Sequence, residues 1–218
     1  GETDDHDHSP GHGYPGVLPG GSITCGGYWD AQIYAGTELC DALDWVTVNG
    51  IFKGYIDGSF GMNKYINRAE TFKVVLETFD VPLFPIDGSD HGFKDVDPYE
   101  WYMPYVITAK FYGMLEGYNY GTEARLSNHI NRAEILKFVL EGSKSFNAYT
   151  MPNSFGSVYS DLAGMNSTWY YPYAGVSAEY QLFDGIQMGG GLGLNPGQLV
   201  TRDEVALLLY RMYKDGLL

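Results

Sequence analysis

The stretch Ile66-Asn67-Arg68-Ala69-Glu70 decides the fold, because the chain says it again. It returns unchanged as Ile130-Asn131-Arg132-Ala133-Glu134, and with substitutions as Val200-Thr201-Arg202-Asp203-Glu204. Successive arginines are 64 and 70 residues apart, the length of one small supersecondary unit, so the chain reads as three repeats. An apolar, helix-compatible run follows each copy: TFKVVLETF, ILKFVLEGS and VALLLYRMY.

Each copy reads as a helix start. Asn67, Asn131 and Thr201 are good N-cap residues, and Glu70, Glu134 and Glu204 stand three positions later, the capping-box spacing. The arginine is less easily explained. It falls at the first helical position, where the helix dipole is positive and a cation costs roughly 0.3–1 kcal/mol. Two readings stay open. One is an anion site made with free N–H groups of the helix start, suited to a carboxylate or phosphate. The other is an arginine paired with an acid of a neighbouring repeat.

The whole chain narrows the choice of partners. Among 218 residues, 13 are basic and 27 acidic, a net charge of −14, which excludes the basic patch that nucleic acid requires. Nineteen tyrosines and 16% aromatic residues fit an extracellular protein that meets sugars or other proteins. No run of about 18 apolar residues is present, so no membrane span is expected. The chain begins at Gly1 rather than Met, as a processed product does, and export is expected. Cys25 and Cys40 are then expected to form a disulfide, since no Cys-x-x-Cys metal or haem pattern occurs. No cofactor is implied.

Residues 1–24 are rich in Gly, Pro and acids and read as a tail without its own fold. Its His6, His8 and His12 are more simply solvated than metal-bound, and Val17-Leu18 and Ile23 offer apolar anchors. The repeats are placed at 25–82, 83–152 and 153–218. Leu39 to Asn49 reads as a helix ended by Gly50, followed by a turn at Gly54-Tyr55-Ile56-Asp57-Gly58. A helix reaching Tyr112 comes next, and the helix from Asn131 is apolar nearly all round, hence buried on several sides. In the last repeat, Trp169-Tyr170 opens a helix closed by Gly185, the glycine-rich stretch Met188–Gly193 is a loop, and the final helix ends at Asp215-Gly216.

Phe-x-Asp-Val, then Trp-Tyr, a helix, Gly-x-x-x-Gly-Tyr and Asn-Arg-Ala-Glu together resemble the S-layer homology repeat, most closely in the middle copy. The resemblance covers about residues 25–218. It implies an all-α fold in which three repeats take a pseudo-threefold arrangement, their second helices forming a central three-helix bundle with first helices and loops outside. It also implies a non-catalytic, extracellular cell-surface protein whose inter-repeat grooves bind anionic, pyruvylated-type cell-wall polysaccharide. The ligand residues it implies are Arg68, Arg132 and Arg202, with Asp30, Asp95 and Asp161, the Gly54-Tyr55 and Gly117-Tyr118 loops, and Trp101 and Trp169.

The departures make the three grooves unequal. Glu38 replaces the tryptophan in the first copy, and the third has lost the Gly-Tyr loop. Asp203 beside Arg202 is expected to weaken that arginine's pull on an anion, so Arg132 ranks first and Arg202 last. The alternative function is a self-assembling subunit of an extracellular filament or surface layer. Its partner would be another copy of the chain, on which the tail docks. A glycan-cleaving enzyme is disfavoured, because no carboxylate pair stands out.

Overall fold

The computed structural model describes residues 25–86, 92–156 and 159–218. The tail with its histidines and apolar anchors, and the acidic linker around Asp87–His91, lie outside the described residues. Six α-helices carry the fold: α1 Glu38–Val48, α2 Arg68–Thr78, α3 Met103–Phe111, α4 Arg132–Phe146, α5 Tyr171–Glu179 and α6 Arg202–Lys214. The class is mostly helical, as expected. The glycine-rich stretch departs from expectation: it forms an antiparallel hairpin, β1 Ile186–Met188 with β2 Gly191–Gly193, turning at Gly189-Gly190.

Helix ends follow local chemistry. Asn67 and Asn131 form complete capping boxes with Glu70 and Glu134. Thr37 accepts the Cys40 N–H to start α1, whereas α3 and α5 begin with a proline in the first turn, where no intrahelical donor is needed. At their C-termini all six helices turn through a residue of positive φ. That residue is Gly50, Gly113 and Gly216 after α1, α3 and α6, but Asp80, Ala148 and Gln181 after α2, α4 and α5. Gln181, not Gly185, therefore closes α5.

The buried side chains form one contiguous core. Close helix pairings are α2 with α3, α4 with α5, α1 with α6, and α2 with α4, where Phe72 and Phe138 meet at 4.8 Å. The first and last helices thus pack together, closing a ring. Three backbone bonds run round the same ring. Ile130 N–H donates to Ile66 O (3.2 Å), Val200 N–H to Ile130 O (3.0 Å), and Ile66 N–H to Val200 O (3.3 Å). Ile66, Ile130 and Val200 are fully buried, so the residue preceding each N-cap meets its two counterparts in the core.

The expected disulfide is present: Cys25 and Cys40 are bonded, with their Cα atoms 4.6 Å apart. It ties the start of the described chain to α1, and closing a loop of this size contributes about 3 kcal/mol.

Candidate anion sites around the three arginines

The three arginines are not surface residues. Arg68, Arg132 and Arg202 are 5%, 5% and 8% exposed, which corrects the picture of an arginine offered on an open helix end. Nor are the helix-start N–H groups free in α2 and α4. Arg68 N–H donates to Asn128 O and Ala69 N–H to Leu126 O; Arg132 N–H donates to Gln198 O and Ala133 N–H to Pro196 O. Arg202 N–H likewise donates to Lys64 O. Loops from elsewhere in the ring thus plug the starts of α2 and α4 and take the first N–H of α6, so at α2 and α4 an anion must address the guanidinium rather than these N–H groups.

Each guanidinium also donates to a loop carbonyl. Arg68 Nε reaches Ala124 O (3.1 Å), Arg132 Nη1 reaches Leu194 O (2.9 Å), and Arg202 Nε reaches Phe60 O (3.0 Å). The N–H groups of those same residues are held by the three aspartates. Ala124 and Arg125 donate to Asp95, Leu194 and Asn195 to Asp161, and Phe60, Gly61 and Met62 to Asp30, all at 2.8–2.9 Å. Each aspartate is thus a clamp that presents one peptide to an arginine. Burial opposes the charge on Asp30, but the N–H groups of Met62, Phe60 and Gly61 overcome it and hold its carboxyl below the ordinary value.

The three sites differ in their carboxylates. At Arg68 the site is closed: Glu134 Oε1 lies 3.5 Å from Nη1 and accepts the Tyr118 hydroxyl at 2.7 Å. The guanidinium sits 4.9 Å from the Tyr118 ring, and Arg125 covers the same ring at 4.4 Å. Burial and the bond to Glu134 push the Tyr118 hydroxyl pKa up. At Arg132, Glu204 Oε1 accepts from Nη2 at 2.8 Å and Phe183 lies under the guanidinium at 4.8 Å, but Nε is buried without a partner. A cavity of about 70 Å³ opens there, lined by Arg132, Phe183, Glu204 and Arg211.

At Arg202 no carboxylate stands within ion-pair distance among the described residues. Asp203 makes no ion pair with Arg202; its Oδ1 accepts the Asn63 N–H at 2.8 Å. The guanidinium lies instead among aromatic rings: Tyr55 at 4.8 Å, Phe52 at 4.9 Å and Phe60 at 5.3 Å. Lys64 Nζ stands 4.2 Å from the same Tyr55 ring. Lys64 carries no motif that sequence reading could seize; its place beside the arginine arises only from the fold.

The remaining candidates divide. Gly54 and Gly117 take positive φ, and a Cβ on either would strike a ring, Tyr28 or Phe93 respectively. Their freedom from a Cβ shapes the two loops. Trp101 and Trp169 are half exposed beside α3 and α5, with edge contacts to Tyr102 and Tyr170. No interaction joins either to an arginine of the motif; the cation near Trp101 is Lys73, at 6.0 Å.

Away from these sites, Glu38 seals the α1–α6 seam. It accepts from Arg211 Nη2 and from Lys214 Nζ, each at 2.9 Å, where the other seams use Tyr105–Glu77 and Tyr173–Glu141 bonds. An open groove of about 350 Å³ lies beside Glu38, Tyr180, Arg211 and Lys214, but its cations are already paired. The bonds from Arg211 and Lys214 hold the Glu38 carboxyl below its ordinary 4.5. A lowered folded pKa contributes stability above the unfolded value, and that stability is lost as pH falls through the folded one. The melting temperature should therefore drop on stepping below pH 4.5, and Glu38→Gln should flatten the upper part of that drop. An unchanged acid profile in Glu38→Gln would remove Glu38 from the account.

The arrangement is a helical ring holding buried guanidiniums at its joints; among the described residues no cluster of metal-ligating side chains occurs, and no helix is long and apolar enough to cross a membrane. No family model matches the chain. It is similar to the surface-layer 125 kDa protein of Lysinibacillus sphaericus, 25% identical over 167 residues, which is 74% of this chain and 13% of that protein. The chain thus spans about an eighth of the length of the curated relative it matches.

Proposed function

We propose that the chain is a non-catalytic, cell-surface structural module built of three S-layer homology repeats, 25–82, 83–152 and 153–218. Its task is to hold an anionic cell-wall polysaccharide at the joints between repeats. One observation carries the reading: three equivalent arginines, buried and fixed by loop carbonyls, meet aromatic rings at three joints of one ring. A guanidinium fixed this way is preorganised for carboxylate, and the adjoining rings offer faces on which sugars stack. The similarity to a surface-layer protein supports the cell-surface setting. The three backbone bonds that circle the core, together with the α1–α6 closure, support the pseudo-threefold arrangement.

The test uses the polymer itself. The chain should co-sediment with purified anionic wall polysaccharide and lose at least tenfold in binding when the polymer's carboxyl groups are reduced to alcohols. Equal binding to both forms, or to neither, would end the proposal. A second reading, a self-assembling subunit, is favoured by Ile33 and Ile56, which stand 84% and fully exposed on segments joined by Trp29. Negative-stain images showing only single particles at high concentration would count against it.

A further inference from the structure

Asparagine occurs ten times in the chain, and one copy alone stands two residues before a serine or threonine: Asn166-Ser167-Thr168. That triplet is the acceptor pattern for an asparagine-linked glycan. The chemistry needs a free primary amide to receive the sugar, and a hydroxyl two residues on to orient it.

The fold places the triplet where a glycan has room. It lies in the turn between the short 3-10 stretch Ser160–Leu162 and α5. Every residue from Ala163 to Ser167 is exposed, bounded by the fully buried Leu162 and the half-exposed Trp169. The Asn166 amide makes no hydrogen bond to a described residue. The amides of Asn49, Asn119 and Asn195 are spent on Trp45 O, Glu123 and Gln198, and the side chains of Asn67 and Asn131 on helix caps. The Thr168 N–H and hydroxyl both donate to Met165 O, at 2.9 and 2.8 Å, which makes Asn166 and Ser167 the two central residues of a tight turn. Drawing the triplet into a transferase's groove breaks those two bonds and uncovers no core side chain, a local opening from the low end of the stability range. The repeat fold does not require the asparagine. The corresponding stretches of the first two repeats, 31–37 and 96–100, contain none.

Resting on the extracellular setting of the proposed function, we infer that Asn166 carries an asparagine-linked oligosaccharide, one per chain, on the exposed loop of the third repeat. The donor class is an oligosaccharide borne on a polyprenyl diphosphate. Asn166 Nδ2 bonds to the anomeric carbon of the first sugar, the bond from that carbon to the diphosphate oxygen breaks, and the diphosphate leaves with the electron pair. One amide proton passes to a base of the transferase, and nothing is oxidised or reduced. A linked glycan is bulky and solubilising. It keeps Met165 and Trp169, 42% and 54% exposed beside it, out of contact between copies, so any lattice of this chain uses other faces.

The experiment reads the intact mass of the chain purified from the cells that make it, and then the chymotryptic peptide that spans Asn166. One glycan should be present, attached at Asn166. Asn166→Gln should abolish it, Thr168→Ala should cut occupancy at least tenfold, and Thr168→Ser should retain it. Helical circular dichroism should be unchanged in all three, since the turn buries nothing. A wild-type chain of bare sequence mass overturns the assignment, and so does a glycan that survives in Asn166→Gln because it sits on Ser167 or Thr168. The polysaccharide assay separates the two proposals. A chain glycosylated at Asn166 that fails to bind the polymer sinks the function alone, whereas a chain that binds the polymer with Asn166 unmodified sinks the glycan site alone.

Discussion

Replacing Glu134 with alanine should cost about 3–5 kcal/mol of stability, the range seen when one partner of a buried ion pair is removed. The Arg68–Glu134 pair is 6% and 18% exposed, so the abandoned guanidinium cannot recruit bulk water freely. Two further bonds go with it: the Tyr118 hydroxyl loses its acceptor, and Asn131 N–H loses its cap. Glu70→Ala is the internal control. It removes the same cap from α2 but no ion pair, so it should cost only about 1 kcal/mol. Urea unfolding followed by helical circular dichroism measures both. If the two variants fall within about 1 kcal/mol of each other, the arginine pair contributes nothing and the contrast among the three sites is empty.

That contrast shows where sequence reading ends. The helix starts were legible because a capping box is local: Asn67, Asn131 and Thr201 lie three residues from their glutamates, and the structure places helices from the next residue in each case. The second use of each glutamate was not legible. Which arginine finds Oε1 depends on a helix about 70 residues away, and Arg202 misses its counterpart with no mark in the motif. The helix ends tell the same story on a smaller scale. Gly50 was readable as a stop because glycine takes positive φ without strain, but Gln181 takes φ 52° and displaces the stop from Gly185. The hairpin at 186–193 escaped for a related reason. Four glycines among the five positions 189–193 offer no period-two apolar pattern, and the hairpin closes because Gly185 and Gly193 admit the side chains of Leu192 and Met188.

Asp30→Ala should be nearly as damaging as Glu134→Ala, and it tests whether the aspartates read a ligand or hold a loop. Three N–H groups, those of Phe60, Gly61 and Met62, lose their acceptor at once. At about 1 kcal/mol or more for each partly buried donor left unmade, the total is roughly 3 kcal/mol. Asp161 holds only two such groups, Leu194 and Asn195, so Asp161→Ala should cost roughly 2 kcal/mol on the same scale. The consequence for binding is indirect. Phe60 carries on its carbonyl the bond from Arg202 Nε, so a loosened loop displaces the guanidinium as well. Asp30→Asn separates clamp from ligand contact, because one side-chain oxygen survives to accept from Phe60 while the charge is gone. A clamp predicts an intermediate stability loss and wild-type binding of the wall polysaccharide at temperatures where the variant stays folded. A ligand-reading aspartate predicts the opposite pattern, full stability with binding destroyed, and that outcome would return Asp30 to the site and remove it from the loop.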